Sequence, residues 1–170
     1  LWRGILQWLG GIGIIVVAMV FLPELRVGGM QIFRAEAFDT MGKILPRATT
    51  ISLQIFVIYL GITVMCALSY VAVGLTAFDA IVHAFTTVST GGFSNYDSSF
   101  GHFSGAVEYV AIIFMIMAAL PFVRYVQLVN GNSRAIISDT QIKTFLITTL
   151  LVAIFVFFVL NNLFPGDWES

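Results

Sequence analysis

Charge is what this chain has least of. Of its 170 residues, 8 are Lys or Arg and 9 are Asp or Glu, a charged fraction of 10%, where a soluble domain carries roughly a quarter. That scarcity excludes an ordinary solvated surface. The net charge of -1 also excludes the basic footprint on which nucleic-acid binding depends, so no nucleic-acid partner is expected. The single cysteine, Cys66, rules out an internal disulfide and, lying inside an apolar run, reads as a small buried hydrophobe. His83, His102 and the scattered acids show neither metal-ligand spacing nor a nucleophile–base pair, so the chain is not expected to be an enzyme. No small-residue cleavage site follows the first apolar run, which argues against a secretory signal peptide. Because the chain starts Leu1-Trp2-Arg3, it reads as a piece of something longer.

What the chain has in abundance is apolar length: 59% of its residues are hydrophobic. About 20 mainly apolar residues cross a bilayer as a helix, and four stretches qualify, at 5–22, 51–73, 106–129 and 144–160. The fold class is therefore an all-α membrane protein. Pro121 predicts a kink in the third stretch, Ser138 with Gln141 has the form of a capping box opening the fourth, and Gly10-Gly11-Ile12-Gly13 predicts close helix packing in the first.

Between the second and third stretches lies a piece too short to span. Thr76 and Asp79 form a capping box, predicting a short helix over 77–89 that the glycines then stop. Thr86-Thr87-Val88-Ser89-Thr90-Gly91-Gly92-Phe93-Ser94-Asn95 thus places hydroxyls and paired glycines in a break between membrane-length stretches. Non-helical backbone at membrane depth is tolerated only where protein buries it or where it lines a water-filled path. The order of span, short helix, extended loop and span describes a re-entrant hairpin.

Lys and Arg positions orient it. Arg26, Arg34, Lys43 and Arg47 fill one loop and Arg134 and Lys143 another, while 74–105 contain no Lys or Arg and the tail 165–170 is acidic. The two basic loops, 23–47 and 131–143, are assigned to the cytoplasm, and the hairpin enters from outside. A monovalent cation exchanges its water for protein oxygens, and backbone carbonyls supply these without a carboxylate's tight grip. Gly91 and Gly92 let extended backbone approach an ion closely, and helix 77–89 directs its negative end there. Asn95 and Asp97 fall at the outer mouth, where Asp97 either concentrates cations or is an ordinary solvated acid. His83, one turn from Asp79, is either a proton relay or a packed core histidine.

The segment from Phe85 to Ser94 resembles a pore-loop repeat of the TrkH/TrkG/KtrB superfamily of potassium-uptake proteins, in its TrkH branch. The similarity extends to Leu1-Trp2-Arg3, to Gln7 through Val16 and to Val27 through Glu36. It implies four repeats around one pathway. Of these, the chain holds a closing span (1–22), a cytoplasmic loop (23–47), one complete repeat (48–130) and, after loop 131–143, an opening span (144–164). The complete repeat comprises spans 51–73 and 106–129, pore helix 77–89 and filter 89–93. By the same resemblance potassium, as substrate and not as a covalent cofactor, meets the carbonyls of Thr90, Gly91 and Gly92, with Ser89 innermost and Phe93 following. One hairpin is a quarter of a filter, so the ring is completed either by the missing repeats of the same chain, which are the expected partners, or by several copies assembling as separate subunits. The resemblance further implies a homodimer in a bacterial cytoplasmic (inner) membrane, with both ends of the chain outside. It also implies a TrkA-type nucleotide-binding regulatory subunit, for which Arg26 and Arg34 are candidate docking residues; lipid headgroups are the competing partner for those charges. Alternative readings are a structural subunit of another membrane complex, a sodium-permeable member of the same superfamily, and an intramembrane enzyme.

Overall fold

The computed structural model describes residues 1–21, 48–103, 105–132 and 134–163. The whole loop 23–47, with Arg26 and Arg34, and the tail 165–170 lie outside them. The helices are α1 (Trp2–Phe21), α2 (Ala48–Ala72), α3 (Ala77–Val88), α4 (Val107–Ala119), α5 (Phe122–Val129), α6 (Arg134–Ile137) and α7 (Thr140–Leu163), with a 3-10 turn at Ser99–His102. The chain divides into two units, Leu1–Val126 and Gln127–Ser170.

In the first unit, α3 packs against α1, α2 and α4. Helix α2 is apolar all round, and its two faces are told apart only by burial. Ile51, Ile55, Tyr59, Ile62, Cys66 and Tyr70 recur every three or four residues and are buried, whereas Leu53, Val57, Leu60, Val64, Leu68 and Val71 are exposed. The inward stripe holds the polar atoms, as expected where lipid is as apolar as leucine and helices associate through packing and hydrogen bonds. Trp8 Nε1 donates to Thr63 Oγ1 at 3.0 Å, Thr63 Oγ1 donates to the Tyr59 carbonyl at 2.8 Å, and Tyr59 OH returns to the Trp8 carbonyl at 3.1 Å. Tyr70 OH meets Thr87 Oγ1 at 2.7 Å. These bonds pin α1 and α3 to α2.

The stretch 106–129 is not one continuous helix. Helices α4 and α5 meet at a bend of 85°, well beyond a kink. Pro121 lacks an N–H and its ring crowds the carbonyl four residues back, which is that of Met117. Tyr125 OH takes up this carbonyl at 2.7 Å, and Leu120 N also donates to it at 3.3 Å. The broken turn therefore keeps its acceptor satisfied, and Arg124 lies beyond the bend.

In the second unit α7 is long and apolar enough to cross a membrane. Its cap is Asp139, whose Oδ1 accepts from Gln141 N at 2.7 Å, and not the Ser138–Gln141 pair expected from the sequence. Asp one position nearer the helix start offers its carboxylate to the free amide of the first turn.

Candidate functional site

The site is the loop that follows α3, and its geometry begins at the start of that helix. Thr76 is the N-cap, extended at φ -61° and ψ 153°. Its Oγ1 accepts from Asp79 N at 3.2 Å, which is half of the expected capping box, and donates to Asp79 Oδ2 at 2.8 Å, so the carboxylate meets the cap's hydroxyl and not its backbone amide. The same carboxylate reaches across the hairpin: Asn95 Nδ2 donates to Oδ1 at 3.4 Å and Tyr96 OH to Oδ2 at 3.2 Å. Burial opposes the charge on Asp79, but the hydrogen bonds from Thr76, Asn95 and Tyr96, together with neighbouring His83, more than offset it and hold the carboxyl below its ordinary range. The Tyr96 phenol is pushed up by desolvation and by the adjacent carboxylate.

His83 is fully buried. Its Nδ1 lies 2.8 Å from the backbone carbonyl of Asp79, so that nitrogen carries the hydrogen and donates. Nε2 lies 3.0 Å from Ser94 Oγ, whose oxygen takes Tyr96 N–H at 3.2 Å. Tyr70, Phe100 and Phe103 enclose the ring. The ring meets the Asp79 carbonyl and not the carboxylate, so the contact a His83–Asp79 proton relay requires is not made. His83 is a packed strut between α3 and the outgoing chain.

At the other end of α3 the chain turns out of the helix. Thr90 N donates to the Thr87 carbonyl at 3.0 Å and Gly91 N to the Thr86 carbonyl at 2.8 Å, the paired bonds of a Schellman ending with Ser89 as C-cap. The left-handed position belongs to Thr90, at φ 55°, and Gly92 follows at φ 67°. A β-branched residue in that region is strained, by about 1–3 kcal/mol, and persists only where its surroundings over-determine it. Thr86 O also receives Gly92 N and Ser89 Oγ, both at 3.2 Å, and the Ser89 carbonyl accepts Thr90 Oγ1 at 2.7 Å.

Carbonyls up to Ser89 are thus largely engaged within the turn. Among the described residues no donor meets the carbonyls of Thr90, Gly91 or Gly92. Three successive acceptors in a short non-helical stretch, beside the negative end of α3, are what a dehydrated cation needs in place of water.

The remaining predicted site residues part company. Phe93 is half-buried with the Arg3 guanidinium 4.4 Å above its ring. Asn95 turns to Asp79, while Asp97 stays exposed. Sequence reasoning missed Gln7, whose carboxamide lies 2.7–2.9 Å from where a Cβ on Gly91 would stand, and whose enclosed Oε1 has no hydrogen-bond partner among the described residues. It also missed the Tyr96–Asp79 bond. A polar residue one turn before Gly11 was the available signal for Gln7; nothing local marks Tyr96.

The family model described as TrkH, cation transport protein, matches residues 1–165. The potassium uptake protein TrkI of Halomonas elongata is 44% identical over 154 residues, 89% of this chain and 31% of the relative. TrkH of Vibrio parahaemolyticus is 36% identical over 167 residues, 94% of this chain and 34% of its own. The crystal structure of the potassium transporter TrkH from Vibrio parahaemolyticus superposes with a TM-score of 0.78 at 31% identity, covering 99% of this chain and 34% of that one. The chain thus spans about a third of the length of the relatives it matches.

Proposed function

The chain belongs to the TrkH family of cation transport proteins, and on that premise we propose that residues 89–93 form one quarter of a potassium-selective filter, with Thr90, Gly91 and Gly92 presenting backbone carbonyls to the ion. The observation that carries this reading is the change in carbonyl use at Ser89. Before it, the acceptors close the end of α3; after it, three in succession face no donor among the described residues. Potassium is the substrate, and the rest of the ring comes from repeats beyond this chain, because a selectivity filter needs carbonyls on every side of the ion.

In the assembled protein this hairpin enters a bacterial inner membrane from outside, with both ends of the chain on the external side. The protein works as a homodimer, and a TrkA-type regulatory subunit docks on the cytoplasmic face that carries Arg26 and Arg34. Charge placement supports that orientation. In a background lacking Cys66, a cysteine at Ser99 should react with an impermeant thiol reagent from outside and one at Lys43 should not; reversed labelling overturns the orientation.

The filter itself is tested by Gly92→Ser in the full-length transporter. At φ 67° a side chain strains the backbone whatever space surrounds it, and the hydroxyl adds a competing ligand. Rubidium uptake should fall against sodium uptake by about tenfold or more, on the scale of a few kcal/mol of misplaced backbone. A normally inserted variant with wild-type discrimination removes Gly92 from the filter.

A further inference from the structure

Helix α1 lies alongside the loop in register. Arg3 stands over Phe93, Gln7 against Gly91 and Gly11 against Ser89, where a Cβ on Gly11 would come within 3.0 Å of Ser89 Cβ and 3.2 Å of its Cα. Each step of four residues along α1 matches a step of two back along the loop. This face of α1 is shaped as a rail for residues 89–93.

The middle contact of that rail is polar and incomplete. A Cβ at Gly91 would sit 2.7 Å from both Cδ and Oε1 of Gln7 and 2.9 Å from Nε2. Gly91 is not among the positive-φ residues, so what stands against a Cβ here is the end of another helix's side chain. Enclosing an amide oxygen without a partner is costly, yet Gln7 Oε1 is so enclosed. A carboxamide carries a donor and an acceptor on one rotatable plane, and apolar side chains of the same length were available to fill the volume. The Cβ direction and the carbonyl direction diverge from one Cα, so a group on the Cβ side of Gly91 leaves its carbonyl free while restricting how the flanking peptides rotate.

We propose that Gln7 is a positioning residue for ion selectivity: its carboxamide, wedged against Gly91, sets the orientation of the carbonyls at 90–92, so that the discrimination of this filter quarter is held by the preceding helix. The proposal rests on the reading of 89–93 as filter. Carbonyl number and field decide which ion is favoured, and small rotations of the peptides alter both.

The test uses the full-length transporter in vesicles, with rubidium and sodium uptake measured in parallel and the amount of inserted protein checked. Gln7→Met keeps length and volume but removes the carboxamide. It should lower the rubidium-to-sodium ratio by about three- to tenfold, the scale of one polar contact, and a wild-type ratio overturns the proposal, because filling space was then all the side chain did. Gly91→Ala should lower the ratio by driving a Cβ into the carboxamide, and Gly91→Ala with Gln7→Ala should lose no more than Gln7→Ala alone. Losses that simply add show that the two residues act independently and also overturn it. This pair decides the matter if Gln7→Met fails to insert. Gly92→Ser in the same assay separates the two readings: if it leaves the ratio unchanged the filter assignment falls, and if it lowers the ratio while Gln7→Met does not, only the role of Gln7 falls.

Discussion

The two ends of α3 use similar residues to opposite ends. At its start Thr76, Asp79, His83, Ser94, Asn95 and Tyr96 bond one another, and the His83 ring is sealed by aromatic neighbours. At its finish Thr86, Thr87 and Ser89 close the helix, after which the carbonyls of Thr90, Gly91 and Gly92 meet no donor among the described residues. A buried polar group left unpaired is costly, so a satisfied cluster is explained by stability alone. The carbonyls left open beside it lie on exposed residues, where water can satisfy them and a cation can take the water's place. The satisfied end makes the open end possible: a strained Thr90 at φ 55° holds its shape only if both limbs of the hairpin are fixed elsewhere.

The contrast breaks most severely if the clamp is removed. Asp79→Ala deletes the acceptor for Thr76, Asn95 and Tyr96 together, and should destabilise the purified transporter by about 2 kcal/mol, read as a fall in its unfolding temperature and accompanied by lost potassium discrimination. Unchanged stability would show that the outer cluster does not brace the loop.

The same carboxylate gives a pH test. Its folded pKa lies below the ordinary value, so its contribution is fully present above the unfolded pKa of about 4 and is lost only as pH falls through the lower folded value. The stability difference between wild type and Asp79→Asn should therefore stay constant from neutral pH down to about 5 and shrink only below about 4. A difference that fades between pH 7 and pH 5 would point to a different titrating group.

Thr90→Gly sharpens the contrast from the other side. Relieving the left-handed threonine should raise stability by about 1 kcal/mol, while the looser backbone lowers rubidium-over-sodium discrimination. A variant that gains stability without losing discrimination separates backbone strain from function. Tyr96→Phe is expected to have the smallest effect. It removes one of three bonds to Asp79, so a slight fall in unfolding temperature with unchanged discrimination is the outcome; a large loss of discrimination would place Tyr96 in the permeation site.

The features legible in the residues are those that one helical turn or one apolar length decides. The start of α3 was readable because Thr76 and Asp79 are three residues apart, the spacing at which a cap hydroxyl meets the amide of the first turn. Its end was readable because paired glycines follow it, and α7 because enough consecutive apolar residues suit a bilayer. Other features depend on segments that meet only after folding. Thr90, and not the adjacent Gly91, takes the left-handed turn, because the Schellman bonds to Thr86 and Thr87 place it there. Pro121 gives a sharp break and not a mild kink, because Tyr125 captures the carbonyl of Met117 and stabilises the bent form. Asp139 supplants the expected pair at the start of α7. Tyr96 finds Asp79, and Gln7 finds Gly91, across separations that no local pattern encodes. Local bonding and apolar length are properties of a few consecutive residues, and the sequence by itself determined a membrane-spanning helical chain with a capped re-entrant helix ending in glycines. Which carbonyls remain open, and which helix holds them, depends on contacts between distant segments, whose geometry exists only once helix packing has brought those segments together.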